Sequence, residues 1–250
     1  SHNLGITLLY EGKLDDAERF LRDAHEKRRK FHGDESQESA GSLVMLAQLA
    51  EVRGRLDEAE ALNRRALEVF RATMGPDSSM AIDQLDNIAR VIQAQGKLGE
   101  AGTLAQQALE ARRRDLGPEH IDTLISMNTV GSIDIDQGRY AEAAELLSQA
   151  EVPTRTAFAG ANAFRTAVLL TSLGRARTGL RDFALAERNL LEAHEIFGRA
   201  RPRNPKDLRN CVDALARLYV AWDKAEPGKG HDAEAAKWQA SLEAGEAQRG

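Results

Sequence analysis

The residue types that most often carry chemistry occur in this sequence, but their spacing does not build a catalytic or metal site. The six histidines include no His-x-x-x-His pair with a third ligand nearby, which a zinc site would need. No serine lies in a Gly-x-Ser-x-Gly turn, and no glycine-rich loop of the phosphate-binding type is present. We therefore expect no catalytic residue, no metal and no cofactor, and hence no enzyme.

Charge and hydropathy exclude two further classes of partner. The formal net charge is −5, whereas a nucleic-acid-binding surface needs a clear basic excess. No apolar run approaches the roughly 20 residues that a membrane span requires. The single cysteine, Cys211, cannot form an intramolecular disulfide and fits a reducing compartment, so we expect an intracellular, cytoplasmic protein.

The strongest signal is an internal repeat. A glycine, a basic residue and a large apolar residue recur together every 42 residues, beginning at Gly12, Gly54, Gly96 and Gly138. A small residue lies seven positions before each of these glycines, and alanines lie five and twelve positions after each. A second turn signal recurs with the same period at Gly33, Gly75 and Gly117. Several columns that keep one register indicate a repeat architecture.

Two further copies are less regular. The fifth is shifted by one residue and has Arg181 in place of the turn glycine, and the sixth is degenerate, with a turn lengthened by residues 226–230. The sequence thus predicts one array over residues 1–250, with a truncated first copy that suggests a piece of a longer protein. The six copies cover approximately residues 1–33, 34–75, 76–117, 118–160, 161–202 and 203–250.

Each copy has the pattern of two antiparallel helices. Apolar residues recur at three- and four-residue spacing on both sides of the glycine, which tolerates the positive φ of a helix C-terminus. One hairpin cannot bury its apolar faces alone, so neighbouring hairpins must stack into a continuous core. Pro153 falls inside a predicted second helix, which we expect to end early, with residues 152–160 irregular. Arg177 replaces an apolar residue, and the two departures indicate either a local change in curvature between the fourth and fifth copies or a harmless capping adjustment.

These columns resemble the tetratricopeptide repeats, in the 42-residue variety found in kinesin light chains. The resemblance covers nearly the whole chain and implies an all-α, right-handed superhelical solenoid of about six helix-turn-helix repeats. The C-terminal end also resembles the repeat arrays that follow bacterial Ser/Thr kinases, through Trp222 and Trp238 among others. The chain has no kinase motif, so a kinase would have to lie upstream.

The resemblance further implies a concave groove lined by the first helix of each repeat. In that family, asparagine nine positions before the turn glycine holds a peptide backbone, as Asn3 and Asn87 would here. Arginines such as Arg90, Arg175 and Arg217 would favour acidic groups, although Asp86 and Asp213, four residues before two of them, could neutralise them instead. The candidate groove residues are Asn3, Gln48, Asp83, Asn87, Arg90, Asn128, Thr129, Arg175 and Arg217.

The leading hypothesis is therefore a non-catalytic scaffold that binds a protein or peptide partner, acidic or extended, through the groove, as the regulatory segment of a larger signalling protein. The edges and the convex side are alternative binding surfaces. A second hypothesis is a module that senses a ligand or signalling peptide by changing its superhelical pitch, for which Pro153 is the only support. The sequence leaves the oligomeric state and the identity of the partner open.

Overall fold

The computed structural model describes residues 2–200 and 205–247, and all regular structure in those ranges is helical. The chain divides into two compact units, an N-terminal unit, Ser1–Gly117, and a C-terminal unit, Pro118–Gly250. The helices of the N-terminal unit are α1 (His2–Tyr10), α2 (Leu14–His32), α3 (Gln37–Val52), α4 (Leu56–Met74), α5 (Ser79–Ala94) and α6 (Leu98–Leu116). Those of the C-terminal unit are α7 (Ile121–Asp136), α8 (Tyr140–Ala157), α9 (Phe164–Gly179), α10 (Phe183–Arg199), α11 (Pro205–Ala225) and α12 (His231–Ala247).

The repeat glycines form the turn inside each hairpin. The φ angle is between 75° and 81° at Gly12, Gly54, Gly96 and Gly138. A residue with a side chain is strained in this conformation, whereas glycine is not. Arg181 takes the equivalent position between α9 and α10 with φ of 63°, and it is the only non-glycine residue with positive φ in the described part of the chain. The backbone of this turn is therefore preserved where the glycine is lost.

The turn between successive hairpins is built from a glycine and an N-cap. Gly33, Gly75 and Gly117 end the second helices with φ of 87° to 96°, and three residues later a polar side chain caps the start of the next helix. Ser36 and Ser78 accept from the backbone amides of Ser39 and Ala81, which satisfies donors that a helix start leaves free. The recurring Gly-x-x-polar sequence thus sets both helix boundaries.

The small residue that lies seven positions before each hairpin turn is placed where the two helices of the hairpin cross. The size of its side chain is matched to that of the residue sixteen positions later, on the second helix. A Cβ atom added to Gly5, Gly131 or Gly174 would come within 2.5–2.8 Å of the Cγ atom of a leucine on the second helix. Where the column holds alanine, the residue sixteen positions later is smaller than leucine. The pairs are Gly5–Leu21, Ala47–Asn63, Ala89–Ala105, Gly131–Leu147 and Gly174–Leu190, all buried.

In the N-terminal unit, each helix packs on the next along the chain, and α1 also contacts α3. Its first core cluster joins α1, α2 and α3 through Leu9, Leu21, Leu46 and Leu49. In the C-terminal unit, α9 contacts both α7 and α8, and α11 contacts both α9 and α10. The first helices α9 and α11 are therefore each seated against the hairpin that precedes them, which is the stacking that the repeat predicts.

The prediction that the helix would end before Pro153 is wrong, because α8 continues through Pro153 to Ala157. The proline removes one helical hydrogen bond, at a cost of about 3 kcal/mol in a free helix. The turn that follows it is held by packing instead: Thr154 and Phe158 are buried, and Phe158 still donates to the carbonyl of Thr154 at 2.9 Å. Only the short stretch after α8 is irregular, with a 3-10 turn over Gly160–Asn162.

Candidate binding site

In the N-terminal unit, the predicted groove residues of α3 and α5 form one face, which we call the α3–α5 face and define by Gln48, Glu51, Asn87 and Arg90. Arg90 donates to Glu51 at 3.0 Å, so the two first helices are tied by an ion pair. Gln48 is half-buried and has no hydrogen-bond partner among the described residues. Asn87 is also half-buried, and its Nδ2 donates to Oε1 of Gln84 at 3.3 Å.

The acidic residues Asp83 and Asp86 of α5 are paired with an arginine of their own hairpin. Arg112 of α6 donates to both Asp83 and Asp86, and both Arg112 and Asp86 are buried. Of the two alternatives for Arg90, the structure does not show neutralisation by Asp86: Asp86 pairs with Arg112 of its own hairpin, while Arg90 donates to Glu51 of α3. A buried carboxylate needs a buried partner, and the guanidinium of Arg112 supplies it.

In the C-terminal unit, α7 and α9 present a second face, the α7–α9 face, defined by Asn128, Asp136 and Arg175. Arg175 donates to Asp136 at 2.7 Å, which repeats the Arg90–Glu51 arrangement in another pair of first helices. Asn128 is half-buried, and its Oδ1 atom is buried without a hydrogen-bond partner. Thr129 is buried and donates to the carbonyl of Ile125 at 3.2 Å, so its hydroxyl is engaged within α7.

The two outermost candidates lie apart from these faces. Asn3 is exposed near the start of α1, where its backbone carbonyl accepts from the hydroxyl of Thr7 at 3.0 Å. Arg217 is exposed on α11 and donates to Asp213 at 2.7 Å, as the four-residue spacing suggested. Arg177, which stands where the repeat pattern prefers an apolar residue, is half-buried. Its guanidinium donates a hydrogen bond to Oδ1 of the buried Asn189.

On both faces the charged side chains are paired, whereas the amide side chains keep unused hydrogen-bonding capacity. An amide offers a donor and an acceptor at once, which are the two groups that a peptide backbone presents. Each arginine on a face could still exchange its acidic partner for a ligand carboxylate, since exposed ion pairs contribute only about 0–1 kcal/mol.

Sequence reasoning missed the ion pairs that join neighbouring hairpins, which the structure shows twice with the repeat period. Arg55 donates to Glu18 at 3.1 Å and Arg22 to Glu58 at 3.4 Å, joining the first hairpin to the second. One repeat later, Lys97 donates to Glu60 at 3.1 Å and Arg64 to Glu100 at 2.5 Å. The signal was available, because all four positions recur 42 residues apart, but the partners are 36 or 37 residues apart and share no helix.

Two carboxylates in these ion pairs between hairpins, those of Glu18 and Glu60, have shifted pKa values. The hydrogen bonds from Arg22 and Arg55 lower the pKa of Glu18 despite its burial. Burial raises the pKa of Glu60, but hydrogen bonds from Arg64, Lys97 and Gln95 outweigh it and leave that pKa lowered. Both carboxylates are therefore held in the charged form in the folded state.

The one cysteine is not poised for chemistry. Cys211 is fully buried between α11 and α10, with Sγ 3.5 Å from the carbonyl oxygen of Leu190. Burial raises the pKa of its thiol to about 11, so the thiol stays protonated at neutral pH. Within residues 2–200 and 205–247, no three His, Cys, Asp or Glu side chains are grouped so that they could hold a metal ion. No helix in the same ranges combines the length and the apolar character needed to cross a bilayer.

The repeat register and the helical hairpins agree with the sequence profile of the tetratricopeptide repeats, which matches residues 1–79 and 80–151. The chain belongs to the tetratricopeptide repeat family. Solved tetratricopeptide structures share its fold at low sequence identity. A kinesin light chain-like protein of Podospora anserina with nearly identical repeats is 21% identical, with 80% of this chain and 94% of that chain covered and a TM-score of 0.62.

Two Rap-type structures cover more of this tetratricopeptide chain. The apo form of RapI is 12% identical and covers 97% of this chain and 82% of its own, with a TM-score of 0.73. A Rap protein complexed with competence and sporulation factor is 15% identical and covers 96% of this chain and 72% of its own, with a TM-score of 0.69. At these identities the similarity shows the fold alone. No curated protein matches the sequence.

Proposed function

We propose that the chain is a non-catalytic interaction module that binds an extended peptide, or an extended segment of a protein, along its first helices. One observation carries the proposal: on the α3–α5 face and the α7–α9 face, the charges are paired but the amides of Gln48, Asn87 and Asn128 are not fully used. A buried amide oxygen without a partner, such as Oδ1 of Asn128, costs free energy, and rotation of this side chain toward a ligand N–H would recover it.

The contrast between paired charges and incompletely bonded amides also predicts the chemistry of the ligand. Amides that bind backbone groups hold a peptide without selecting its side chains, so affinity would come mainly from the extended backbone. Arg90 and Arg175, each already paired with a carboxylate, would add a secondary preference for acidic side chains by exchanging partners. The fold is compatible with such a ligand, because a Rap protein of the same fold has been crystallised with competence and sporulation factor.

We further propose that the module is the regulatory segment of a larger intracellular signalling protein. The family and the absence of any motif for catalysis in its own sequence support an accessory role. The free, buried Cys211 fits a reducing compartment.

Selection from a random peptide library displayed on phage, against the full chain, tests the proposal. We expect enriched peptides whose binding is weakened about three- to tenfold by Asn87→Ala or by Asn128→Ala, which corresponds to one lost hydrogen bond. The variant that weakens binding identifies the face in use. Gln106→Ala is the matched control, because Gln106 is an exposed amide on a second helix, bonded to Glu110 at 3.1 Å.

Failure to enrich any peptide, or equal loss of binding in Gln106→Ala, would contradict the proposal. The sensing hypothesis stays a prediction that the same peptides can test. A change in the small-angle X-ray scattering profile upon addition of a selected peptide would support a change of pitch, and an unchanged profile would leave a static binding module.

A further inference from the structure

The buried arginine of the third hairpin is shared between two carboxylates that lie in different surroundings. Arg112 of α6 donates to Asp86 and to Asp83, both on α5. Asp86 is 5% exposed and Arg112 is 6% exposed, so these two side chains already form a matched buried ion pair. The side chain of Asp83, in contrast, is 40% exposed. The second carboxylate is therefore not needed to neutralise the buried arginine.

Asp83 also differs from the residues that take its position in other copies of the repeat. Thirteen positions before the hairpin turn, the second, fourth and fifth copies have Gly41, Ile125 and Val168, none of which carries a charge. The packing of a first helix thus does not depend on a carboxylate at this position. The repeat fold accounts for Asp86, as the partner of the buried arginine, but not for Asp83.

Asp83 extends the α3–α5 face by one helical turn. It lies four residues before Asn87 on α5, and side chains at this spacing are neighbours on a helix surface, about 5–6 Å apart. On α3, Gly41 has the equivalent position, and a Cβ atom added to it would meet no atom within 4 Å. Val44, one turn further along α3, is half-buried. This end of the face therefore combines open space, an apolar side chain and a carboxylate.

The ion pairs of this face contain more acidic than basic groups. Arg90 pairs with Glu51, and Arg112 pairs with both Asp83 and Asp86, so three carboxylates meet two guanidinium groups. A carboxylate has about four acceptor sites, and Asp83 shares its guanidinium with a second acid. A cationic group of a ligand would add to the ion pairs at Asp83, whereas an acidic group would have to displace one of them.

We propose that the α3–α5 face selects ligands with a basic side chain, lysine or arginine, which binds Asp83 beside the open space at Gly41. This inference rests on the proposed function, because the amide of Asn87 would hold the backbone next to that side chain. The distance of about 5–6 Å between neighbouring side chains on α5 is within reach of lysine and arginine. Their methylene groups would lie against Val44 while the charged end reaches the carboxylate.

A double-mutant cycle measured by isothermal titration calorimetry tests the proposal. A peptide selected on the full chain, and its variant with the basic residue replaced by methionine, are each titrated into wild type and into Asp83→Asn. Each single change should weaken binding about three- to tenfold, and the two together should weaken it no further, because both remove the same ion pair. Asn at position 83 still offers an oxygen to Arg112, and circular dichroism establishes that the variant is folded.

A steric variant tests the open space independently of charge. Gly41→Leu places a side chain where a Cβ atom meets nothing, so the chain should fold and the basic peptide should bind at least about threefold more weakly. Gly99→Leu is the matched control, because Gly99 is an exposed glycine of the second helix α6 with equally open surroundings. It should leave binding unchanged.

Selected peptides without lysine or arginine would overturn the proposal, as would additive effects in the cycle or binding that Asp83→Asn leaves unchanged. Binding that is weakened by Asn87→Ala but not by Asp83→Asn would refute this inference alone and leave the proposed function standing. Binding that depends on Asn128 and not on Asn87 would have the same consequence. If no peptide is selected, both proposals fail together.

Discussion

In the N-terminal unit, neighbouring hairpins are joined at their edges by ion pairs that repeat every 42 residues, as at Glu18–Arg55 and Glu60–Lys97. In the C-terminal unit, the last hairpin is joined to its predecessor by stacked rings: Phe183 of α10 lies 5.6 Å from Trp222 of α11, which in turn lies 4.2 Å from His231 of α12. The regular array uses charges at an exposed edge, and the irregular end uses aromatic burial.

The difference shows that the repeat fixes the hairpin geometry but not the groups that join the hairpins. Glu18 and Arg22 recur as Glu60 and Arg64, but the third second helix, α6, has Gly102 and Gln106 in these positions, so the charge motif ends there. Aromatic contacts bury more apolar surface than exposed ion pairs and are less sensitive to salt and pH. The two kinds of joint should therefore fail under different conditions.

The largest expected effect comes from removing the central ring of the aromatic joint. Trp222→Ala should lower the free energy of unfolding by about 3 kcal/mol, because it deletes the ring on which both Phe183 and His231 stack. Urea denaturation followed by circular dichroism measures the change. Phe31→Ala is the matched control and should change stability by less than about 0.5 kcal/mol, since Phe31 is 84% exposed. Equal effects at the two positions would show that the rings do not join the hairpins.

The second prediction replaces the Gly–Leu pair at a helix crossing of the C-terminal unit by the Ala–Ala pair found at a crossing of the N-terminal unit. Gly131→Ala should destabilise by about 2 kcal/mol, since its Cβ would lie 2.7 Å from Cγ of the fully buried Leu147. Adding Leu147→Ala creates the Ala–Ala pair found at Ala89 and Ala105, so the double variant should lose less stability than the sum of the two single variants.

Gly41→Ala is the control for this exchange, because no atom lies within 4 Å of its added Cβ. It should stabilise α3 by up to about 1 kcal/mol through helix propensity. Strict additivity of Gly131→Ala and Leu147→Ala in denaturation experiments would contradict the size matching.

The third prediction concerns the charged joints. The pKa of Glu18 and the pKa of Glu60 are lowered from 4.5 in the folded state, so their contribution to stability is complete above that pH and is lost as the pH falls through the folded values. Glu18→Gln with Glu60→Gln should cost about 1 kcal/mol at pH 7 and flatten the loss of stability below about pH 4.5. Thermal melts from pH 7 to pH 3 measure both effects, and unchanged acid sensitivity in the double variant would argue against the joints.

An effect no larger than that of the charged residues is expected at the irregular turn. Arg181→Gly should stabilise the chain by about 1 kcal/mol, because a side chain at φ of 63° is strained and glycine is not. Gly138→Ala, at φ of 79° in the preceding hairpin turn, should lose a similar amount and is the reciprocal control. A lower melting temperature for Arg181→Gly would mean that the arginine side chain stabilises this turn in another way.

Much of the fold could be predicted from the sequence because it depends on local, repeated requirements. Gly54 and its equivalents mark turns that need positive φ. The small residue seven positions before each of these glycines marks a helix crossing. Pro153 was misjudged because the local cost of proline was counted without the burial of Thr154 and Phe158, which depends on neighbouring helices.

The candidate site could be predicted only in outline. The positions of Gln48, Asn87 and Asn128 followed from the family pattern, but their availability did not, since it depends on which neighbours occupy each side chain. Arg90 has a carboxylate on its own helix, at Asp86, and still pairs with Glu51, 39 residues away.

The central claim, that amide side chains on the first helices hold the ligand, is tested most directly by nuclear magnetic resonance of the side-chain amide groups. A library-selected peptide is titrated into the full chain labelled with ¹⁵N at Asn and Gln. The account predicts that the resonances of Gln48 and Asn87, or that of Asn128, shift while that of Gln106 does not. Shifts confined to amides of the second helices, such as Gln106, would contradict it.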